Sequence, residues 1–266
     1  MLDVWRVSVL QIEVDVDDVL GRQFSALEKK NLDFAIVQAS NKVAFEVRES
    51  WKRAAGRIFD RPTPRTLNAA LYSKATKQKP YAEIFLHDAA SKGASPAKYL
   101  RAQVEGGDRR PKGMESLLMS AGLMPRDGSA VPGNDAPRDQ YGNVGSGQVR
   151  KILSQLRAGQ DAGKTANETD EGRGRRLKRQ RKRGGGGSFF LVQKQRGRLR
   201  PGIYERIGSG QGGAVRAMFI FSRKAVYDAR YDIFGIAAKE WNTLMPFYFE
   251  RELANAVETS VLRGRG

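Results

Sequence analysis

The feature that most constrains the fold is a continuous apolar stripe in residues 32–58. Its members recur at spacings of three or four residues: Leu32, Ile36, Ala39, Val43, Val47, Trp51, Ala54 and Ile58. That spacing places them on one face of an α-helix, and an apolar face of this length must be buried against another element. The stripe therefore predicts a helix over residues 31–59. Pro62 and Pro64 follow it, and proline cannot continue the hydrogen bonding of a helix.

Shorter patterns predict the remaining elements. The predicted strands are residues 4–16 with a bulge near Leu10, residues 81–86, and a meander made of 189–192, 202–207 and 215–222. The predicted helices are residues 19–29, 114–124, 148–156 and 232–262, the last with a kink or break at Pro246. This order indicates the α+β class, in which a small antiparallel sheet packs against long N-terminal and C-terminal helices.

Composition divides the chain into three segments. Residues 1–157 hold the first strand, the long helix and an irregular middle segment (residues 91–147) that is rich in turn-forming residues. Residues 158–187 are polar, then strongly basic, then glycine-rich, which predicts a flexible basic arm. Residues 188–266 hold the meander and the C-terminal helix. We expect this last segment to form one domain with the first.

Charge and residue types exclude several kinds of chemistry. The chain has 47 Lys and Arg against 29 Asp and Glu, a formal net charge of +18 that suits an acidic partner. It has no cysteine, which excludes disulfides, thiolate nucleophiles and cysteine-based zinc sites. No apolar run approaches the roughly 18 residues of a membrane-spanning helix, and no secretion signal is evident, so we expect no membrane association.

No motif points to a reaction centre or a cofactor. His87 is the single histidine, and its place at the end of a predicted strand favours a surface role. The glycine-rich residues 208–213 lack the Lys-Ser/Thr pair of a phosphate loop and precede a strand, so they predict a turn. Asp139 and its neighbours miss the spacing of a calcium loop and are typical turn formers. We therefore expect no enzyme, no metal and no cofactor. An unrecognised hydrolase stays as an alternative, because two distant carboxylates can meet in a fold.

The densest charge lies in the predicted arm. Eight cations fall within eleven residues: Arg173, Arg175, Arg176, Lys178, Arg179, Arg181, Lys182 and Arg183. Four more follow near the first turn of the meander: Lys194, Arg196, Arg198 and Arg200. Like charges repel, so the arm is predicted to be extended when free. Three interpretations stay open: a solvated segment without a ligand, a contact with an acidic protein surface, or a salt-sensitive contact with nucleic acid.

Several segments resemble the minor tail protein Z (tail-completion) family of tailed bacteriophages. They are RPTPRTLN at 61–68, AKYLRAQVEGG at 97–107, DQYGNV at 139–144 leading into GQV at 147–149, RPGIYER at 200–206, and Met245-Pro246 before an amphipathic helix. The resemblance covers most of the chain loosely, and its motifs have no catalytic content.

The resemblance implies a structural protein in the neck of the virion, made in the host cytoplasm. Such a protein completes the tail end and helps to join tail to head, beside a tail terminator and a head-tail connector. A homo-oligomeric ring, with six-fold symmetry favoured, would present its basic arms to genomic DNA in the channel or to acidic neighbours. Trp51, Trp241 and Phe249 are candidate interface anchors, although a core role is the favoured alternative for all three. A nucleic-acid-binding accessory protein that uses the basic arm is the alternative function.

Overall fold

The computed structural model describes residues 10–11, 25–89, 93–159, 166–182, 187–207 and 214–263. The chain divides into two compact units, Met1–Gly107 with Asp228–Gly266 and then Asp108–Tyr227. We call them the first and the second unit. The α+β class is confirmed. The predicted single domain is not found, because the meander has a core of its own in the second unit, whereas the C-terminal helix packs in the first.

The described residues form seven helices and nine strands. The helices are α1 (Ala26–Ile58), α2 (Pro64–Leu67), α3 (Pro96–Val104), α4 (Gly113–Ser120), α5 (Ser146–Gln155), α6 (Asp170–Lys182) and α7 (Ile233–Arg263). The strands are β1 (Leu10–Gln11), β2 (Ala70–Ser73), β3 (Glu83–Leu86), β4 (Gly107–Asp108), β5 (Gly128–Pro132), β6 (Ser188–Val192), β7 (Gly202–Arg206), β8 (Val215–Arg223) and β9 (Val226–Tyr227). Strands β4 and β9 pair with each other where the chain enters and leaves the second unit.

Helix α1 begins earlier than the sequence predicts. The Ser25 hydroxyl accepts a hydrogen bond from the Glu28 N–H at 3.2 Å, and the Glu28 carboxylate accepts one from the Ser25 N–H at 2.8 Å. This capping box satisfies backbone donors that a helix start otherwise leaves unpaired. The separate helix predicted for residues 19–29 is therefore wrong in its described part, since residues 26–29 belong to α1. The predicted residues 19–24 lie outside the described residues.

The core of the first unit is the apolar stripe of α1 packed along α7. Ala39, Val43, Val47 and Trp51 are fully or almost fully buried, and the other members of the stripe pack against them. The Trp51 indole donates a hydrogen bond to the Ile233 carbonyl at 2.9 Å, and the Tyr231 hydroxyl donates one to the Trp51 carbonyl at 2.9 Å. Both bonds fix the start of α7 on the C-terminal part of α1. Helix α7 continues through Pro246, so the break, one of the two predicted alternatives, is not found.

A small antiparallel sheet lies beside α1 in the order β1-β3-β2. The pairing of β2 with β3 places Leu71 opposite Phe85. Only Leu10–Gln11 of the strand predicted for residues 4–16 is described, and it pairs with β3; the rest lies outside the described residues. The middle segment predicted to be irregular contains α3 and β5 as well as the predicted helix now seen as α4.

The second unit is a four-stranded antiparallel sheet in the order β5-β8-β7-β6. The predicted meander is confirmed, because β6, β7 and β8 pair consecutively with antiparallel register. Strand β5 adds a fourth strand by pairing with β8, with Ser129 opposite Ser222. Helices α4 and α5 contribute Leu118 and Ile152 to a core that also contains Ile203 and Met218, all four fully buried.

Candidate functional site

The basic segment is a helix in the described structure, and the prediction of an extended arm is wrong for residues 170–182. Acidic residues at the start of α6, Asp170 and Glu171, lie at the positive end of the helix dipole. The Thr169 hydroxyl accepts the Gly172 N–H at 3.1 Å. An ion pair also joins Asp170 to Arg157, just after α5. These contacts offset part of the repulsion among the cations.

Arg176 attaches the middle of α6 to the rest of the second unit. Its guanidinium donates two hydrogen bonds to the Glu168 carboxylate, at 2.7 and 2.9 Å, and a third to the Ser188 hydroxyl at 2.6 Å. Gln180 accepts a hydrogen bond from the same hydroxyl at 2.9 Å. Bidentate, charge-assisted bonds of this kind are among the stronger polar contacts in proteins. Arg176 is thus a structural residue, unlike the more exposed cations around it.

A groove of about 650 Å³ lies between α5, α6 and the strands β6 and β7. We call it the basic groove. Its lining comprises Gln148, Lys151, Gln155, Gly172, Arg175, Arg176, Arg179, Gln180, Gly187, Phe189 and Glu205. Lys151, Arg175 and Arg179 are exposed, and within the described part of the chain none of the three forms an ion pair. Glu205, the one carboxylate among these lining residues, accepts the Gly187 N–H at 3.1 Å.

The helix separates the predicted cations into two sets. Arg175, Arg176 and Arg179 line the basic groove, whereas Arg173, Lys178 and Lys182 are exposed and do not. Each residue advances about 100° around a helix with 3.6 residues per turn, which turns Arg173 and Lys178 away from the groove face. Lys182, seven residues after Arg175, shares that residue's face but lies at the end of the helix. The side chain of Arg181 and all of Arg183 lie outside the described residues.

The four cations of the meander turn lie apart from the basic groove. Lys194, Arg196, Arg198 and Arg200 are all exposed in the connection between β6 and β7. The groove touches β6 at its other end, near Phe189. A strand rises about 3.3 Å per residue, so the length of β6 separates the two sets. The predicted contact residues therefore lie in two separate places.

The three predicted interface anchors lie in or against the core of the first unit. Trp51 and Phe249 are buried to 0% and 1% exposure, and neither can anchor a partner without unfolding the α1–α7 packing. Trp241 is half-buried and packs against the same core. The core role that the sequence analysis favours for these residues is therefore the one observed for Trp51 and Phe249.

A partly exposed aromatic cluster, which the sequence analysis missed, lies on the first unit. Phe45 of α1, Tyr72 of β2 and Tyr248 of α7 line a pocket of about 370 Å³, and Phe247 packs edge-on against Tyr248. We call these four residues the aromatic patch. The guanidinium of Arg48 lies over Phe45 and Tyr72, and that of Arg251 over Phe247 and Tyr248. Arginine three or four residues after an aromatic residue is the signal available in the sequence.

Other candidate groups take structural roles. The Asp139 carboxylate accepts the backbone N–H groups of Tyr141 and Asn143 at 2.9 and 2.8 Å, as expected of a turn former. His87 is half-buried after β3, and its backbone N–H donates to the Ala69 carbonyl at 2.8 Å. Within the described ranges, no three carboxylate or imidazole side chains converge as a metal site would require. No described helix is both long and apolar enough to span a bilayer. The glycine-rich residues 208–213 lie outside the described residues.

Comparison with known protein families, with curated proteins and with solved structures finds no match to this chain.

Proposed function

We propose that this chain is a structural virion protein of a tailed bacteriophage, which completes the tail end and joins tail to head by ring assembly. The sequence segments that resemble tail-completion proteins motivate the proposal. In this role the protein turns over no substrate. Its neighbours are a tail terminator and a head-tail connector, and a six-fold ring is the favoured assembly.

The observation that carries the proposal is the set of exposed phenylalanines on the two long helices. Phe34 and Phe45 of α1, with Phe234 and Phe247 of α7, are 41–57% exposed although both helices already supply the core. Phe34 and Phe45 are eleven residues apart in α1, which is close to three turns and places them on one face. Apolar side chains displayed on rigid helices suit a contact between subunits.

The aromatic patch has the composition of an interface centre. Tyrosine and arginine are enriched among residues whose truncation weakens protein association most. Here Arg48 and Arg251 are held over aromatic rings and also pair with Glu49 and Glu252. Such held side chains lose little conformational freedom when a partner binds. The patch is therefore the first surface to test for assembly.

Location in purified particles tests the proposal directly. We expect imaging of virions to place this chain at the neck. We further expect Phe45→Ser with Phe247→Ser to leave heads and tails unjoined while the protein stays folded. Val131→Thr is the matched control, because Val131 is 49% exposed in the second unit. Purified virions that lack the polypeptide, or substrate turnover by the protein alone, would overturn the proposal.

A nucleic-acid-binding accessory protein is the second candidate function, and the basic groove favours it. Exposed cations without ion pairs release counterions when they contact phosphates, so binding would be sensitive to salt and insensitive to base sequence. Light scattering together with duplex binding at two salt concentrations separates the candidates. Tight, salt-sensitive duplex binding by a monomer would favour the second candidate. A ring that fails to bind bare duplex would exclude it.

A further inference from the structure

We infer that the basic groove binds the phosphate backbone of duplex DNA through Lys151, Arg175 and Arg179. The inference rests on nucleic acid being a partner, as the second candidate function states, and it specifies where and how the contact is made. It divides the predicted basic residues into those that hold the ligand and those that do not.

The charge balance of the basic groove favours an anion. Lys151 projects from α5, and Arg175 and Arg179 project from α6, so three cations from two helices face one space. Arg176 stays engaged with Glu168, and Glu205 with the Gly187 N–H and, at 3.8 Å, with Arg216. The three groove cations therefore keep their charge for a ligand. Cations grouped in a concave site create a stronger field than the same charges spread over a surface.

The spacing of the groove cations suits a phosphodiester chain. Arg175 and Arg179 are one helical step of four residues apart, a rise of about 6 Å along α6. Successive phosphates on one strand of duplex DNA advance about 3.4 Å along its axis and also wind around it, so their separation exceeds this rise. The two arginines are therefore spaced to reach neighbouring phosphates of one strand. Gln148 and Gln180 add side-chain amides to the lining. Arginine, lysine and amide donors are typical of contacts with phosphate oxygens.

The lining residues of the basic groove disfavour two other negatively charged partners, an acidic protein surface and single-stranded nucleic acid. Protein interfaces are enriched at their centres in aromatic residues, methionine and arginine. The basic groove has the arginines, but its described lining contains no tyrosine, tryptophan or methionine. Single-stranded nucleic acid is held by stacking of bases on exposed aromatic rings. Phe189 is the only aromatic residue among the lining residues given, and it is 9% exposed. The backbone of a duplex requires neither feature.

The test compares two charge-matched variants of the whole 266-residue chain. The groove variant carries Arg175→Gln and Arg179→Gln, and the control carries Arg173→Gln and Lys178→Gln, which lie on the same helix outside the lining of the basic groove. Glutamine preserves helix propensity in both. Fluorescence anisotropy with a short labelled duplex, over a series of salt concentrations, gives affinity and salt slope. We expect the groove variant to bind roughly tenfold more weakly with a salt slope lower by about 2, and the control to change much less.

Each alternative outcome counts against the inference. Equal weakening in both variants would overturn the groove assignment and leave nucleic-acid binding intact. Absence of duplex binding by the unaltered protein at low salt would overturn the second candidate function as well. Capture of poly-glutamate, but not duplex, through Arg175 and Arg179 would indicate an acidic protein partner instead. Lys151→Gln in α5 repeats the test without altering α6, should the double variant disturb that helix.

Discussion

The strongest prediction about stability concerns Glu115, because its buried carboxylate joins three parts of the second unit. Its side chain is 1% exposed and accepts two hydrogen bonds from Arg109, at 2.7 and 2.6 Å. It also accepts the backbone N–H groups of Lys112 at 2.6 Å and Ala130 at 2.8 Å. The carboxylate thus connects the segment after β4, the start of α4 and strand β5.

The expected loss of stability in Glu115→Gln follows from the hydrogen-bond partners that the substitution would leave unpaired. The guanidinium of Arg109, 16% exposed, would lose its counter-charge, and a side-chain amide cannot accept at both of its heavy atoms. Breaking a buried ion pair from one side costs about 3–5 kcal/mol, out of the roughly 5–15 kcal/mol that stabilises a typical domain. Asp108→Asn is the control, since the Asp108–Lys224 ion pair is exposed and such pairs contribute at most about 1 kcal/mol.

The dependence on pH provides an independent check. Burial raises the pKa of Glu115, but hydrogen bonds from Arg109, Ala130 and Lys112 lower it further than burial raises it, to below 4.5. A carboxyl with a lowered folded-state pKa stabilises the fold above its unfolded-state pKa, and this stabilisation is lost as the pH falls through the folded value. The difference in free energy of unfolding between the unaltered protein and Glu115→Gln should therefore be largest at neutral pH and shrink below pH 4.5.

Hydrogen exchange in urea is the suitable assay. Trp51 and Trp241, the tryptophans within the described residues, both belong to the first unit, so tryptophan fluorescence reports poorly on the second. Peptides that cover β5 and β8 report the opening of the second unit directly. The reasoning would be refuted if Glu115→Gln lowered the free energy of unfolding by less than about 1 kcal/mol, or if that loss did not change with pH.

Three further predictions concern single contacts. Tyr231→Phe removes the buried hydrogen bond to the Trp51 carbonyl and should lower the free energy of unfolding by about 1 kcal/mol in fluorescence-monitored denaturation. Gly133→Ala places a methyl group against a main-chain carbonyl of β8 and should destabilise the sheet strongly, whereas Gly147→Ala, which meets open space, should not; thermal melts compare the two. Gly174→Ala also meets open space, and it should slow hydrogen exchange in α6, since alanine stabilises a helix interior by about 1 kcal/mol over glycine.

Elements whose pattern is local could be predicted from the sequence. The stripe through Val43 and Val47 predicts α1 because its own spacing defines a buried face. The meander follows from short apolar segments with turns between them. Strand β5 could not be predicted this way, because its pairing partner β8 lies more than eighty residues further along the chain. The two-unit division has the same cause, since nothing local to α7 shows that it returns to pack on α1.

The candidate site was predictable in its residue types and not in its arrangement. The charge run identifies Arg175 and Arg179 but does not distinguish them from Arg173, which lies outside the groove lining. Only a helix makes that distinction. The contact that holds the helix in place joins Arg176 to Glu168 and Ser188, eight and twelve residues away. A pattern of apolar residues cannot reveal it, because α6 contains a single large apolar residue, Leu177.

The carboxylate of Glu168 therefore determines which way the cations of this segment face. In an extended chain, alternate side chains point to the same side, so Arg173 would share a side with Arg175 and Arg179. In α6, the Glu168–Arg176 pair orients the helix so that Arg175 and Arg179 face the same groove as Lys151 of α5. A 13-residue helix with so few apolar residues is marginal without such a contact. The number of positive charges sets the strength of the attraction to an anion, while Glu168 sets where that attraction is focused.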